Sequence, residues 1–201
     1  MQIQDSVVLI TGAAVRVGRA VALHLAECGA HISFSYYDDE EPWQATLADI
    51  QQHDVDAFAT QTEVLEKASV QNLVDRTVEA FGRVDVLINN ASVWLKSPFL
   101  EITEEAWDLA LGVNLKGPFL CAQAVAPLML AQGAGVILNI TDLFAFQVWP
   151  HYAHHAASKA GLVSLTKSLA VELAPNVRVN AIAPGTVLLP ENCPESKREW
   201  A

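Results

Sequence analysis

VVLITGAAVRVG, residues 7–18, joins a continuous apolar run to a turn that contains two glycines. Four consecutive apolar residues, 7–10, are typical of a strand buried on both faces. A helical pattern follows and ends at Gly29. A glycine turn between such a strand and a helix exposes backbone N–H groups at the positive end of the helix, so the segment predicts a diphosphate-binding site. Alone, the Gly12-x5-Gly18 spacing is also compatible with an ordinary strand-to-helix turn.

The alternation of strand and helix patterns continues along the whole chain. It predicts a parallel sheet covered on both faces by helices, the Rossmann-type doubly wound α/β class. No linker, repeat or low-complexity segment interrupts the pattern, so residues 1–201 are expected to form a single dinucleotide-binding domain. The five further strand patterns lie at 32–36, 55–60, 84–88, 135–140 and 177–182.

Composition restricts the classes of function. A chain of 201 residues with 52% hydrophobic and 17% charged residues can bury one well-formed core. We expect a soluble cytoplasmic protein, because no apolar run reaches membrane-spanning length and the first residues lack a basic head before an apolar stretch. The formal net charge of −11 opposes binding to nucleic acid or anionic lipid. Three cysteines without metal-like spacing predict reduced thiols and no metal site.

A second segment carries candidate proton-handling groups. In YAHHAASK, residues 152–159, two candidate acids precede a lysine. On a helix His155 lies one turn from Lys159 and Tyr152 lies two turns away, so all three side chains are predicted to share one face. The segment therefore predicts a proton-transfer site and leaves the identity of the donor open.

Taken together, five motifs resemble the ordered motif set of the short-chain dehydrogenase/reductase family. The resemblance covers essentially the whole chain and implies hydride transfer with a nicotinamide dinucleotide. Members usually continue past the Pro-Gly motif into a lid, a helix and a final strand. Relative to the family this chain is short at its C-terminus, which implies either a shortened sequence or an exposed edge at the strand 177–182 that something must cover. The motifs are Thr11-Gly12 with Gly18, Asn89-Asn90-Ala91-Ser92, Asn114, Ser158-Lys159 and Pro184-Gly185.

The resemblance implies NADPH as the cofactor and does not exclude NADH. NAD-dependent relatives carry an acid at the end of the second strand, where this chain has Tyr36. Against NADPH, the four acids at 38–41 oppose a 2′-phosphate unless they point into solvent. The guanidinium of Arg16 could pair with the diphosphate, with a 2′-phosphate or with the substrate, or could be solvated. The cofactor-binding residues that the resemblance implies are Gly12, Arg16, Val17, Gly18, Tyr36, Glu63, Val64, Asn90, Ala91, Ser92, Lys159, Pro184, Gly185 and Thr186.

The resemblance also implies a catalytic set of serine, tyrosine, lysine and asparagine, of which only two members match. Lys159 and Asn114 stand at their usual positions, whereas Asp142 replaces the serine and His155 replaces the tyrosine. Asp142 could orient a donor, share a proton or cap a loop. Imidazole titrates near neutrality, but the ammonium of Lys159 opposes its protonation. Tyr152 resembles the Tyr-x6-Lys arrangement of enoyl-thioester reductases, and we place it ahead of His155 as the proton donor.

A narrower resemblance concerns the substrate. Arg16, Ser92, Trp94, Asp142 and the run APGTVLLPE at 183–191 are similar to the pteridine and dihydropterin reductases within the family. In that subgroup the aromatic residue stacks a flat pterin, and the serine and arginine contact its polar edge. An indole face suits such a ring. The substrate contacts implied for this chain are Ser92, Trp94, Asp142 and Tyr152.

Three hypotheses for function follow. The first is NADPH-dependent reduction of a planar conjugated, pterin-like substrate. The second is an enoyl-thioester reductase that uses Tyr152 and Lys159. The third is a dinucleotide-binding protein whose altered centre has lost its reductase chemistry. The family resemblance further implies a homodimer or homotetramer, although the apolar stripe on the helix after Lys159 fits a core face equally well.

Overall fold

Six parallel strands form one sheet in the order β3-β2-β1-β4-β5-β6. The computed structural model describes residues 2–188. The order reverses between β1 and β4, so the carboxyl ends of these two strands border the crevice in which doubly wound folds bind ligands. The strands are β1 Val7–Ile10, β2 His31–Tyr36, β3 Ala57–Gln61, β4 Val86–Asn89, β5 Gly135–Ile140 and β6 Val177–Ile182.

Helices cover both faces of the sheet. Successive side chains of β1 point to opposite faces, so Leu9 belongs to one core cluster and Val8 and Ile10 to the other. The Leu9 cluster packs against α3 and α5, and the other packs against α1 and α2. The predicted Rossmann-type fold is therefore confirmed. The helices are α1 Arg16–Glu27, α2 Trp43–Gln51, α3 Lys67–Phe81, α4 Glu104–Leu111, α5 Gly117–Gln132 and α6 Ala153–Glu172.

The predicted strand boundaries hold for β1, β5 and β6 and shift by one or two residues elsewhere. Two strands begin two residues late: β3 begins at Ala57 and not at 55, and β4 begins at Val86 and not at 84. Val84 is withdrawn from the sheet because its N–H donates to the side-chain oxygen of Gln132 at 3.3 Å, and Gln132 Nε2 donates back to its carbonyl at 3.0 Å. The side-chain amide of Gln132 therefore takes the place of a neighbouring strand as the hydrogen-bond partner of Val84.

Within residues 2–188, β6 pairs only with β5. Val177 and Val179 point into the core, whereas Arg178 and Asn180 are exposed. Cys28 and Cys121 are free thiols, and burial raises the pKa of Cys121 to about 12. The end of the APGTVLLPE run, 189–191, and Cys193 lie outside the described residues.

Helices α4 and α5 are continuous through a π-helical turn at Gly112–Lys116, giving one helical stretch of 29 residues, Glu104–Gln132. By length and composition alone this stretch could cross a membrane. More than half of its most apolar part is buried inside the protein, which is typical of a core helix. In the described part of the chain, no group of three or more His, Cys, Asp or Glu side chains is placed to hold a metal ion.

Candidate active site

The turn between β1 and α1 has no room for side chains at its two glycines. Gly12 has a φ of +64°, and a Cβ there would lie 2.9 Å from Ala91 Cα. A Cβ on Gly18 would lie 2.6 Å from Asn90 Nδ2 and would also collide with the carbonyl oxygen of Gly12. The two glycines therefore allow the turn to close on the loop that follows β4.

Thr11 and Asn90 hold these two segments together. Thr11 Oγ1 accepts hydrogen bonds from the N–H groups of Asn90, at 3.0 Å, and Ala91, at 3.1 Å. Asn90 Nδ2 donates to the carbonyl oxygens of Thr11, at 2.9 Å, and Gly12, at 2.8 Å. Four residues that the sequence predicts for the cofactor thus meet in one hydrogen-bonded turn at the crevice, namely Gly12, Gly18, Asn90 and Ala91.

The amino end of α1 is open to a ligand. Val15 occupies the N-cap position without a side-chain hydrogen bond to the first turn, which contains Arg16, Val17 and Gly18. N–H groups in an uncapped first turn, at the positive end of a helix, can bind a phosphate. The bare turn and the uncapped helix therefore fit a dinucleotide diphosphate. Arg16 is exposed, and one of its guanidinium nitrogens donates to the carbonyl oxygen of Leu188 at 3.3 Å.

Tyr36 closes the carboxyl end of β2. Its ring is buried and stacks on Trp43, with ring centroids 4.7 Å apart and an 8° angle between the planes. Burial raises the pKa of Tyr36, and the nearby Asp39 carboxylate raises it further. Tyr36 is therefore neutral and forms an apolar wall at this end of the crevice.

The remaining predicted cofactor residues also follow the carboxyl ends of strands. Glu63 follows β3, and its carboxylate accepts a hydrogen bond from the N–H of Leu65 at 2.9 Å. Val64 beside it is buried. Residues 184–186, the Pro-Gly-Thr segment, follow β6, and a Cβ on Gly185 would lie 3.5 Å from Leu143 Cδ1. That contact brings the segment next to the loop that follows β5.

Asn114 lies in the π-helical turn between α4 and α5 and is fully buried. Its Oδ1 accepts hydrogen bonds from Ser92 Oγ and from the N–H of Val93, both at 2.9 Å. Its Nδ2 donates to the carbonyl oxygen of Val93 and to Ser158 Oγ, both at 3.1 Å, and lies 3.4 Å from His155 Nδ1. Because a backbone N–H and a backbone carbonyl fix the amide orientation, His155 Nδ1 faces a donor.

His155 lies between Asn114 and Asp142 and is 1% exposed. Nδ1 faces the Asn114 amide nitrogen, and a tautomer that accepts at Nδ1 and carries its proton on Nε2 fits this contact. His155 Nε2 lies 3.4 Å from Asp142 Oδ2, to which its N–H can donate. The side chains form a line from a fixed amide through an imidazole to a carboxylate.

Asp142 has two partners, and two of the three roles considered for it from the sequence, capping a loop and orienting a donor, are compatible with this geometry. Its Oδ1 caps the 3-10 turn Leu143–Ala145 by accepting from the N–H of Phe144 at 2.9 Å, while Oδ2 contacts His155. Burial, the largest single cause, pushes the pKa of Asp142 upward, but the hydrogen bonds from His155 and Phe144 and the electrostatic effects of His155 and Lys159 together lower it below its usual value. Asp142 is therefore an ionised carboxylate at neutral pH.

Lys159 lies one helical turn after His155 and is 3% exposed. Its Nζ donates to the carbonyl oxygen of Ile140 at 3.0 Å. Burial lowers the pKa of Lys159 to about 8, although the Asp142 carboxylate acts in the opposite direction. The ammonium therefore titrates close to physiological pH, which suits a group that exchanges a proton.

The predicted helical face of three residues is only partly present. Helix α6 begins at Ala153, and Tyr152 is its N-cap residue, with a φ of −125°. His155 and Lys159 lie on the helix, but Tyr152 precedes it, so the prediction that all three share a helical face is wrong. Pro150 and a left-handed His151, with a φ of 76°, precede Tyr152 and prevent the helix from starting earlier.

Aromatic side chains form a wall over the Asp142 and His155 pair. Trp94 is 58% exposed, and its ring centroid lies 5.0 Å from that of His155. Phe144 and Tyr152 each lie 5.3 Å from Trp94 in edge-to-face geometry, and Phe144 lies 4.8 Å from Tyr152. Tyr152 is thus a packing member of the wall, and the exposed Trp94 indole offers a face to a flat ligand.

Two contributors to this site were not identified from the sequence. Ser158 donates to the carbonyl oxygen of His155 at 2.7 Å and accepts from Asn114, so it joins the two halves of the centre. Phe144 contacts Trp94, Tyr152 and His155. The aromatic residues clustered at 144–149 were a sequence signal for Phe144. The only sequence signal for Ser158 was its position directly before Lys159.

The comparisons with known proteins agree with this architecture. A family model described as short chain dehydrogenase matches residues 6–199. This chain belongs to the short-chain dehydrogenase family. It is thus an oxidoreductase of a family that uses NAD(H) or NADP(H), and its parallel sheet with flanking helices is the fold of that family.

Two curated relatives within the short-chain dehydrogenase family carry the same name. The chain is 38% identical over 181 residues to the 3-oxoacyl-[acyl-carrier-protein] reductase FabG of Staphylococcus epidermidis, covering 90% of this chain and 74% of the relative. It is 35% identical over 216 residues to the FabG of Thermotoga maritima, covering all of this chain and 82% of the relative. These names give no support to the narrower resemblance to pteridine reductases.

Solved structures in the family superpose closely on the chain. NAD+-bound xylitol dehydrogenase has a TM-score of 0.88 and 32% identity, covering 92% of this chain and 72% of that structure. Levodione reductase has a TM-score of 0.86 and 34% identity, covering 91% and 72%. The family and the fold are therefore established, while the substrate and the roles of individual residues are matters for proposal.

Proposed function

We propose that this protein reduces a planar, conjugated small molecule with a reduced nicotinamide dinucleotide, and that His155 holds the substrate oxygen or nitrogen. One observation carries the proposal. An imidazole N–H, fixed by Asn114 and directed to Asp142, lies under an exposed indole and one helical turn from a lysine whose pKa is about 8. A polarising donor, a proton source and a stacking surface are thereby available at one position.

The amino end of α1 and the glycine turn would hold the dinucleotide diphosphate. When bound, the cofactor supplies the hydride. Gly12 and Gly18 keep the turn free of side chains, and Asn90 keeps it rigid through its two carbonyl contacts. Lys159 is held by Ile140 at the carboxyl end of β5, the edge of the sheet that borders the crevice.

His155 acts as a hydrogen-bond donor to the reacting atom of the substrate. Its Nε2–H has only a 3.4 Å contact with Asp142, long enough for a better-placed acceptor to compete for it. An imidazole N–H can polarise a carbonyl in this way. Asp142 stays ionised and favours the ring proton on Nε2, and the contact of Nδ1 with Asn114 fits the same tautomer.

The Lys159 ammonium supplies the proton that completes the reduction. A donor with a pKa of about 8 is mostly protonated at neutral pH and still releases its proton readily. Tyr152 contributes an aromatic surface in this scheme, because its ring packs edge-to-face on Trp94 and Phe144.

The aromatic wall formed by Trp94, Phe144 and Tyr152 supports a flat substrate. Trp94 leaves more than half of its surface exposed beside His155, which supports stacking of a flat conjugated ring such as a dihydropterin. In this proposal Ser92, whose hydroxyl donates to Asn114, would contact a polar edge of such a ring.

A second candidate is reduction of a 3-oxoacyl thioester. The observation that favours it is the name of the curated relatives, which are 35–38% identical to this chain. The same donor and proton source would serve a β-carbonyl oxygen. The enoyl-thioester alternative depends on Tyr152 beside Lys159 and is weakened because Tyr152 precedes the helix and packs into the wall.

The test is a panel of oxidation assays at 340 nm with NADH and NADPH and three substrate classes: dihydropterins, acetoacetyl thioesters and crotonyl thioesters. The proposal expects turnover with a dihydropterin, and the second candidate expects it with the acetoacetyl thioester. Turnover only with the crotonyl thioester would overturn both in favour of the enoyl reductase. Tight nucleotide binding with no oxidation across the panel would support the hypothesis of a binding protein without reductase activity.

The predicted assembly rests on the family resemblance. A groove between α4, α5 and α6 is lined mainly by apolar side chains, including Leu109 and Phe119, which are 40% and 41% exposed. Of the predicted leucine stripe on α6, Leu169 and Leu173 pack against the core. Light scattering that gives a monomer would exclude the predicted homodimer or homotetramer. The predicted cytoplasmic location rests on the sequence alone.

A further inference from the structure

Lys96 lies at the outer side of the aromatic wall. Its Nζ is 5.9 Å from the centroid of the Tyr152 ring, and that centroid lies 5.3 Å from the centroid of the Trp94 ring. The N–H of Ser97 donates to the carbonyl oxygen of His151 at 2.9 Å, so the backbone directly after Lys96 is tied to the backbone directly before Tyr152. The ammonium is therefore held at the edge of the surface on which a flat ligand would stack.

The charge of Lys96 is not neutralised by a carboxylate in the described part of the chain. Lys96 takes part in none of the ion pairs within residues 2–188. Its side chain is exposed, and the attraction between a cation and an aromatic ring is weak at an exposed site. A lysine stem is flexible, and its ammonium offers three donors. A carboxylate on a bound ligand can therefore draw the ammonium off the Tyr152 ring.

The two segments that form the wall contain no acidic side chains. The chain has 23 acids, yet residues 86–100 and 143–171 include none of them and carry three lysines. Asp142, directly before the second segment, is engaged by His155 and by the N–H of Phe144. A chain with a formal net charge of −11 thus has a locally basic surface beside the wall, which attracts an anion and guides its approach.

Arg16 is a second candidate for binding such an anion. It is exposed, and it donates to the carbonyl oxygen of Leu188 at 3.3 Å, which leaves the charge of the guanidinium uncompensated. Arg16 begins α1 beside the glycine turn, where the dinucleotide diphosphate is proposed to bind, whereas Lys96 contacts the wall. The cofactor therefore accounts for the charge of Arg16 and not for that of Lys96.

We infer that the substrate carries a carboxylate, and that Lys96 binds it while the flat ring of the substrate stacks on Trp94. The inference rests on the proposed function and specifies the substrate class of the same site. Lys96 sets specificity in this arrangement, and His155 remains the contact of the reacting atom. A charge-assisted hydrogen bond at the edge of the wall favours an acid over its uncharged amide.

The test is a calorimetric titration of the full chain, saturated with an oxidised nicotinamide dinucleotide, with pterin-6-carboxylate and with pterin-6-carboxamide. These two flat rings have nearly the same shape and differ in charge. We expect the carboxylate to bind about tenfold more tightly at low salt, and the ratio to shrink at high salt. Lys96→Gln should remove the preference and leave the affinity for the carboxamide unchanged, whereas Lys96→Arg should retain the preference. The exposed Lys67→Gln on α3 is the matched control and should behave as the wild type.

The outcomes separate the inference from the proposed function. Equal binding of both rings by the wild type overturns the inference and leaves the proposed function standing. A preference that persists in Lys96→Gln and is lost in Arg16→Gln assigns the anion to Arg16, which also overturns the inference. If neither ring binds to a protein that binds the dinucleotide, the proposal of a flat substrate fails, and the inference fails with it.

Discussion

His155 Nε2 lies 3.4 Å from Asp142 Oδ2, and this contact connects helix α6 to the loop that follows β5. Asn114 Nδ2 lies 3.4 Å from the opposite ring nitrogen, which fits a tautomer with the proton on Nε2. Side chains from three separate segments thus prepare a single N–H for an acceptor. A histidine that only fills the core needs neither an ionised partner nor an exposed indole beside it. His155 has both, in Asp142 and Trp94.

Asp142→Asn removes the charge that holds the ring proton on Nε2. We expect kcat to fall about a hundredfold while KM changes little, since the orientation of His155 is lost but the wall remains. Steady-state kinetics with the active substrate of the panel measure both. The exposed Asp75→Asn on α3 is the control, and equal losses in both variants would exclude a specific role for Asp142.

The pH dependence of turnover should follow Lys159. Because the ammonium is the active form and its pKa is about 8, kcat should be constant near neutrality and fall as the pH rises through about 8. Lys159→Arg stays charged at all these pH values and cannot release a proton, so it should be inactive throughout. A wild-type profile that stays flat to pH 10 would contradict the role of Lys159 as proton source.

Burial of the Lys159 ammonium should also lower the free energy of unfolding of the protein. Lowering its pKa from 10.5 to about 8 corresponds to a cost of about 3 kcal/mol for holding the ammonium in its buried position. Lys159→Met is therefore expected to raise the free energy of unfolding by about 1–3 kcal/mol at pH 7 while abolishing turnover.

Denaturant titration at several pH values can check how the stability difference between wild type and Lys159→Met depends on pH. The wild-type protein regains the lost stability as the pH rises from about 8 toward 10.5, so its difference from Lys159→Met should shrink over this range. A difference that grows with pH would show that burial of the charge is not the cause.

Gly18→Ala tests the turn that fits the diphosphate. Its Cβ would lie 2.6 Å from Asn90 Nδ2, so the β4 loop must move and nucleotide affinity should fall about tenfold or more. Gly82→Ala, whose Cβ meets open space at a φ of +75°, should cost about 1 kcal/mol of stability and leave affinity unchanged. Calorimetric titration of both variants makes the comparison. Equal affinities would show that Gly18 is not needed for the turn.

Much of this structure followed from local sequence signals. Apolar runs and the glycine turn gave the strands, because a strand buried on both faces leaves a continuous apolar signature. The position of Tyr152 did not follow, since the helix start depends on the backbone of Pro150 and His151 and not on periodicity. The contact of Lys96 with the Tyr152 ring was equally invisible, because a lysine in a loop can turn outward or inward with the same sequence.

The most direct test of the central claim compares His155→Gln with Tyr152→Phe in the same reductase assay with the active substrate. If His155 holds the reacting atom, His155→Gln should lose about a hundredfold or more in kcat/KM, while Tyr152→Phe, which keeps the aromatic ring, should stay within about fivefold of the wild type. Circular dichroism and nucleotide titration confirm that both variants remain folded and bind the cofactor. The opposite pattern, an active His155→Gln and an inactive Tyr152→Phe, would contradict the account and assign the chemistry to the tyrosine.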